Sequence, residues 1–227
     1  MAVLAGGKGT RLGARVQEVP KPLVEVAGEP FLFHSLRRLA ASGARQVVLC
    51  VGYLGERIEQ VVGHHRFGMD LAYSYDGPGL DGTLGALHRA GDLLGDRFLV
   101  LYGDTILTLD FRDLVAVWDR SALPAVMTVL ENRGRWGASN TLVRNGLVEA
   151  HDKAAPTGEM SWIDYGAGGL TRDILGEAGP AETDLSALYA TLAARGLLAA
   201  YPVSERFYEI GTPSSLAETE AFLAERA

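Results

Sequence analysis

Short apolar runs at 2–5, 46–51, 70–75 and 97–102 alternate with segments of helical apolar period at 31–42, 54–62 and 83–94. Few folds accept that alternation. Runs this apolar must be covered on both faces, which a parallel sheet between two helical layers provides. In 31–42 the apolar positions are Phe31, Leu32, Leu36, Leu39 and Ala40, with Ser35 on the same face and Gly43 as a C-terminal stop. Gly63 ends the next helix in the same way. The second half changes character: 125–130, 138–143, 147–151 and 163–170 read as strands with few helices between them. Asn145-Gly146 separates two of these runs, a strong hairpin signal. Helices at 184–194 and 213–226 flank a strand at 197–203. The expectation is one α/β domain over 1–227, Rossmann-like and three-layered, with a mixed, mostly parallel sheet and antiparallel additions in its later half.

With 48% hydrophobic and 22% charged residues the chain is an ordinary globular one, and no apolar run approaches membrane-spanning length. The N-terminus lacks the charged and apolar regions of a secretory signal, and a cytoplasmic protein with no membrane partner is expected. A net charge of −7 offers no broad basic face for nucleic acid. Cys50, the single cysteine, lies in a buried run and reads as an inert thiol. The histidines have no metal-ligand spacing: His64-His65 reads as a solvated turn, and His34, His88 and His151 stand apart. Trp118, Trp136 and Trp162 read as packing residues. Of 21 basic residues only Lys8, Lys21 and Lys153 are lysines. A chain that otherwise uses arginine keeps lysine where a compact point charge with rotatable donors is needed, as around phosphate oxygens.

Directly after the first run come Gly6, Gly7, Gly9 and Gly13, interleaved with Lys8 and Arg11 and leading to Pro20-Lys21-Pro22. Glycines after a buried strand let backbone N–H groups approach phosphate oxygens, and the cations supply charge. The loop lacks the Lys-Ser or Lys-Thr of a Walker motif, and the prolines do not open a helix as a dinucleotide fingerprint would.

Leu4 to Leu12, with Pro20 to Pro22, resembles the signature of the sugar-1-phosphate nucleotidylyltransferases, L-A-G-G-x-G-T-R-L followed by P-K-P. Gly28-Glu29-Pro30-Phe31-Leu32 and Gly82-Thr83-Leu84-Gly85-Ala86 look most similar to the heptose-1-phosphate and mannose-1-phosphate guanylyltransferase branch. The likeness runs through essentially the whole chain. Relatives carry a residue or two more before the glycines, which implies a trimmed first strand or an upstream start. No acyltransferase-like repeat is appended, so a single activity is expected.

The resemblance implies the nucleotide-diphospho-sugar transferase fold, with 1–110 as the nucleotide half and 111–227 as the sugar-phosphate half. It makes Lys8, Arg11 and Lys21 the catalytic cations. Leu4, Ala5, Gly6, Gly7, Gly9, Thr10, Gly82 and Thr83 would hold the nucleotide. Asp76 could accept from a base edge, although guanine, cytosine and uracil all offer a donor. Tyr102-Gly103-Asp104-Thr105 resembles the metal-binding G-D turn, at the strand end where open α/β sheets bind ligands. Phe207 to Thr212 resembles the stretch with the second metal carboxylate, here Glu209 where Asp is commoner. Both would bind Mg²⁺. Asp152-Lys153 is similar to the Glu-Lys pair whose lysine contacts the sugar phosphate. Asp164 and Gly166 fall where relatives contact sugar hydroxyls, with a structural role for Asp164 equally open.

The expected reaction joins an NTP and a sugar 1-phosphate into an NDP-sugar plus pyrophosphate by in-line attack on the α-phosphorus. GTP with a manno-configured hexose or heptose 1-phosphate leads; UTP, dTTP and CTP are alternatives. A GT-A glycosyltransferase would normally show Asp-x-Asp, which Asp104-Thr105-Ile106 does not provide. An inactive sugar-nucleotide-binding regulator should have lost a charged site residue, and all five cations and carboxylates Lys8, Arg11, Lys21, Asp104 and Lys153 are kept. A homo-oligomer is compatible with all of these readings.

Overall fold

The computed structural model of the chain describes residues 1–7, 9, 19–77, 81–179 and 182–226. In chain order β1 (Ala2–Leu4) leads to a small hairpin, β2 (Glu25–Val26) and β3 (Glu29–Pro30), then α1 (Phe31–Ala41), β4 (Gln46–Val51) and α2 (Gly55–Val62). β5 (His65–Arg66), β6 (Met69–Tyr75), α3 (Gly82–Arg89), β7 (Arg97–Tyr102), β8 (Thr105–Ile106) and α4 (Phe111–Ser121) follow. The second half holds β9 (Ala125–Glu131), β10 (Thr141–Arg144), β11 (Leu147–His151), β12 (Trp162–Thr171), α5 (Leu185–Ala194), β13 (Leu198–Val203), β14 (Tyr208–Glu209) and α6 (Pro213–Ala224).

The main sheet has ten strands in the order β10-β11-β13-β9-β12-β7-β1-β4-β6-β5. β7, β1, β4 and β6 form a parallel block, and β13 runs parallel to β9. Every other neighbouring pair is antiparallel. The sheet is therefore mixed, and the expectation of a mostly parallel one holds only for its first half. β12 is the reason: it inserts antiparallel between β7 and β9 and so reverses two interfaces at once.

Alternating strand residues supply two cores, as pleating requires. Ala2, Val48, Cys50, Val100 and Met127 face α3 and α5 through Leu84, Leu87, Leu185 and Leu188. Val3, Leu49, Val51, Leu101 and Val126 face α1, α2 and α4 through Leu32, Leu36, Ile58 and Leu114. The three layers follow directly. α4 was not anticipated: Phe111, Leu114 and Trp118 form its buried face, and Val115 and Val117 between them blur the helical period. Residues 83–94 are not one helix, because α3 stops at Arg89 and a 3-10 turn covers Gly91–Leu93. The Asn145-Gly146 hairpin is present, both residues having positive φ (52° and 77°), as a two-residue turn between twisted strands demands.

Candidate active site

β1 lies between β4 and β7: the chain runs outward from β1 through β4 to β6 on one side and then crosses back to β7 on the other. At such a switch point the loops beyond the C-terminal strand ends part and leave a crevice. A cavity of about 240 Å³ occupies it, walled by Leu4 to Gly7, Lys21, Cys50, Asp76, Gly82, Thr83, Tyr102, Gly103 and Asp104 among others. Most of the residues assigned to the nucleotide from sequence are thus brought to one cleft. Lys8, Thr10 and Arg11 lie outside the described residues. Burial pushes the Cys50 thiol up to about 12, helped by the charge of Asp76, which keeps it inert on the floor.

Two glycines are dictated by close approach. A Cβ on Gly6 would stand 2.6 Å from Asp76 Oδ2, so the bare backbone is what lets that carboxylate close the wall. Gly9, with φ of 63°, carries the Lys21 methylenes against it, and a Cβ there would meet Lys21 Cβ at 3.0 Å. Asp76 is held above the usual carboxylate range, first by burial and then by the charge of Asp81, with Arg89 opposing.

Lys21 is buried in a single 3-10 turn opened by Pro20 and held by Pro22. Its Nζ donates to Asp104 Oδ2 at 2.5 Å. Asp104 follows β7, and the next residues form β8, which pairs with β14 so that Thr105 faces Glu209. Ile210 N–H donates to the Asp104 carbonyl at 3.1 Å. That two-stranded ladder brings the backbone of Glu209 and Ile210 to that of Asp104 and Thr105, about a hundred positions earlier in the chain. A Cβ on Gly211 would come within 3.1 Å of Glu209 Oε1, so the bare Gly211 backbone leaves room for this carboxylate. Carboxylate oxygens are the hard donors that Mg²⁺ selects, so the two residue types carried by this ladder suit that ion. No cluster of three or more His, Cys, Asp or Glu side chains suited to a metal occurs among the described residues.

The second expected group meets Tyr102 as well. Lys153 Nζ donates to Asp164 Oδ2 at 2.8 Å and sits 5.3 Å from the Tyr102 ring centroid. The Asp164 side chain is only 3% exposed, and its other oxygen accepts from Gly166 N–H at 3.0 Å. The positive φ of Gly166 (109°) permits that tight return. Burial alone would lower the Lys153 ammonium, yet the charge and hydrogen bond of Asp164, with Asp184, hold it above its ordinary value. Asp164 therefore serves Lys153 first. Thr83 lines the cleft, but its hydroxyl donates to Asp184 Oδ1 at 3.2 Å and accepts from Leu185 N–H at 2.7 Å. In return Leu84 N–H donates to the Thr183 carbonyl at 2.7 Å. A Cβ on Gly82 would meet that same carbonyl at 2.5 Å.

Sequence reasoning missed Tyr102 and Asp184 as site residues. Tyr102 stood beside an assigned aspartate and could have been found there. Asp184 reads as an ordinary N-cap, and only the fold brings Thr83 to it.

An α/β domain with a cleft at its switch point, lined by a lysine and carboxylates, is the build of a nucleotide-handling protein. Residues 1–202 match the MobA-like NTP transferase domain, and the chain belongs to that family. Glu209 lies beyond the matched residues. The chain is similar to the mannose-1-phosphate guanylyltransferase catalytic subunit beta of Drosophila pseudoobscura pseudoobscura, 40% identical over 118 residues, which is 50% of this chain and 32% of that protein. It is similar also to the N-acetylmuramate alpha-1-phosphate uridylyltransferase of Neisseria meningitidis, 36% identical over 124 residues, 54% of this chain and 53% of the relative. The chain thus spans between a third and about half of these relatives' lengths. A provisionally assigned glucose-1-phosphate thymidylyltransferase from Bacillus anthracis, solved with sucrose, superposes with a TM-score of 0.85 at 21% identity, covering 97% of this chain and 93% of that one. The fold is therefore that of the nucleotidyltransferases. Among the described residues no helix is long and apolar enough to cross a membrane.

Proposed function

We propose that the chain catalyses nucleotidyl transfer from an NTP to a sugar 1-phosphate, releasing pyrophosphate. The observation that carries this reading is that Tyr102 lines the cleft with the Lys21–Asp104 pair and also underlies Lys153, which is bonded to Asp164. Two lysines that share one neighbouring ring suit two phosphates that must meet.

The chemistry asks mainly for charge control. A sugar phosphate of about −2 approaches a triphosphate of about −4, and each unit pair at 4 Å costs about 4 kcal/mol at an effective dielectric near 20. The nucleophilic phosphate oxygen is already ionised at neutral pH, so no general base is required. The phosphate oxygen forms a bond to the α-phosphorus, the bond to the bridging oxygen breaks, and pyrophosphate leaves with the electron pair. Lys21 would span the α-phosphate and the incoming phosphate, and Lys153 would orient the latter, with Lys8 and Arg11 on the β- and γ-phosphates. Asp104 and Glu209 would hold a Mg²⁺ ion, which when bound neutralises phosphate charge. Leu4 to Gly7, Gly82 and Asp76 would enclose base and ribose.

GTP with a manno-configured hexose or heptose 1-phosphate is the pair proposed first, supported by the guanylyltransferase relative. The uridylyltransferase relative keeps UTP as the next choice. Pyrophosphate release measured for all NTPs against hexose and heptose 1-phosphates with Mg²⁺ tests this. Release with no pair would refute the reaction and favour a sugar-nucleotide-binding role.

A further inference from the structure

The reaction proposed above leaves one buried imidazole unused. His151 is 3% exposed, ends β11 and immediately precedes Asp152-Lys153. Its Nδ1 lies 2.9 Å from Thr141 Oγ1 and its Nε2 lies 2.9 Å from Ser186 Oγ. Tyr189 of α5 packs edge-on against the ring, with centroids 6.1 Å apart.

The proton positions along this path follow from one fixed donor. Asp164 N–H donates to Asn140 Oδ1 at 3.1 Å, which fixes that atom as the amide oxygen. Thr141 Oγ1 lies 2.9 Å from the same oxygen, which can only accept, so the threonine hydroxyl spends its single proton there. Thr141 can then only accept from His151, and Nδ1 must carry hydrogen. Nε2 of the neutral ring is consequently bare and accepts the Ser186 hydroxyl. One continuous path runs from the first turn of α5 through His151 to the backbone of Asp164, whose carboxylate grips Lys153. A second tie closes the loop, because Asp152 N–H donates to the Asn140 carbonyl at 2.9 Å. Asp152 Oδ1 in turn accepts from Ala154 and Ala155 N–H, both at 2.8 Å, and so sets the turn that presents Lys153.

We infer that His151, as the Nδ1–H tautomer, is a positioning residue that joins the Lys153 turn to α5 and fixes the ammonium at Asp164. That Lys153 then meets a sugar phosphate rests on the reaction proposed above. Without the imidazole, Thr141 and Ser186 lose their common partner, and β10, β11 and α5 lose the polar contact that sets their spacing.

The chain labelled at lysine Cε shows at most three side-chain signals, one for each of its lysines. Lys153 is assigned with Lys153→Arg. Long-range proton–nitrogen correlation on labelled histidine should find the His151 ring neutral, with Nδ1 protonated and Nε2 bare. In His151→Phe the Lys153 signal should move and its titration midpoint fall, while that of Lys21 stays. KM for the sugar 1-phosphate should rise about tenfold with KM for the NTP unchanged, and His151→Asn, which restores an N–H toward Thr141, should recover part of it. An Nε2–H or charged ring at neutral pH, or an unmoved Lys153 signal in a folded His151→Phe protein, overturns the inference. If that variant fails to fold, Thr141→Val removes the acceptor at constant shape. It should shift the tautomer off Nδ1–H, and an unchanged ring overturns the inference equally. An enzyme without pyrophosphate release that still gives the NMR results refutes the reaction and leaves the positioning role standing. An active enzyme whose Lys153 signal ignores the substitution does the reverse.

Discussion

Lys21 Nζ and Asp104 Oδ2 are 2.5 Å apart, so the cation proposed for phosphate and the carboxylate proposed for metal are each other's partner. Each ligand would arrive at a group already paired. Lys21→Ala should therefore do more than remove a charge. A loss of about 3 kcal/mol of transition-state stabilisation is expected, roughly a hundredfold in kcat/KM for pyrophosphate release, with an unaltered circular dichroism spectrum. Unchanged turnover would remove Lys21 from the reaction.

Asp164→Asn should leave the Lys153 ammonium with a neutral partner. Because Asp164 holds the ammonium above its ordinary value, the Lys153 midpoint should fall in the variant. KM for the sugar 1-phosphate should rise about tenfold, with a smaller change in KM for the NTP, read from two-substrate kinetics.

Gly6→Ala tests the cleft wall. Its methyl would stand 2.6 Å from Asp76 Oδ2, so the carboxylate must move. A stability loss of about 1–3 kcal/mol is expected in urea unfolding. Nucleotide affinity should weaken with it, measured by calorimetry without the sugar phosphate. An alanine variant that binds as tightly would show that Asp76 is not needed where it stands.

Burial holds the His151 imidazole below its usual 6.5, with Asp164 opposing, Lys153 adding to the depression, and Asp184 and Asp152 opposing. A depressed folded value means the native state binds fewer protons than the unfolded chain below pH 6.5. The stability contributed is full above that pH and is lost as pH falls through the folded value. Urea midpoints between about pH 7.5 and about pH 5.5 should therefore drop further for the wild type than for His151→Asn.

The strands at 46–51 and 97–102 coincide with β4 and β7 because uninterrupted apolar runs have one good solution, burial on both faces. The cleft was legible because glycines and a lysine crowd the C-terminal end of β1, and a glycine and an aspartate that of β7. Two things were not legible. The antiparallel insertion of β12 depends on which edge a strand finds, and its apolar run is silent on that. The Thr83–Asp184 and Thr105–Glu209 pairings join residues about a hundred positions apart, and no local pattern marks them.

The reciprocal capping at Thr83 and Asp184 has an electrostatic consequence. α3 and α5 meet start to start, and each helix start carries the equivalent of about half a positive charge. Like ends so close would repel. Asp184 accepts from Ser186 N–H and from Thr83, placing one full negative charge at their meeting point. Its carboxylate acts as a counter-ion shared by two dipoles, and removing it would set one helix against the other across the mouth of the cleft.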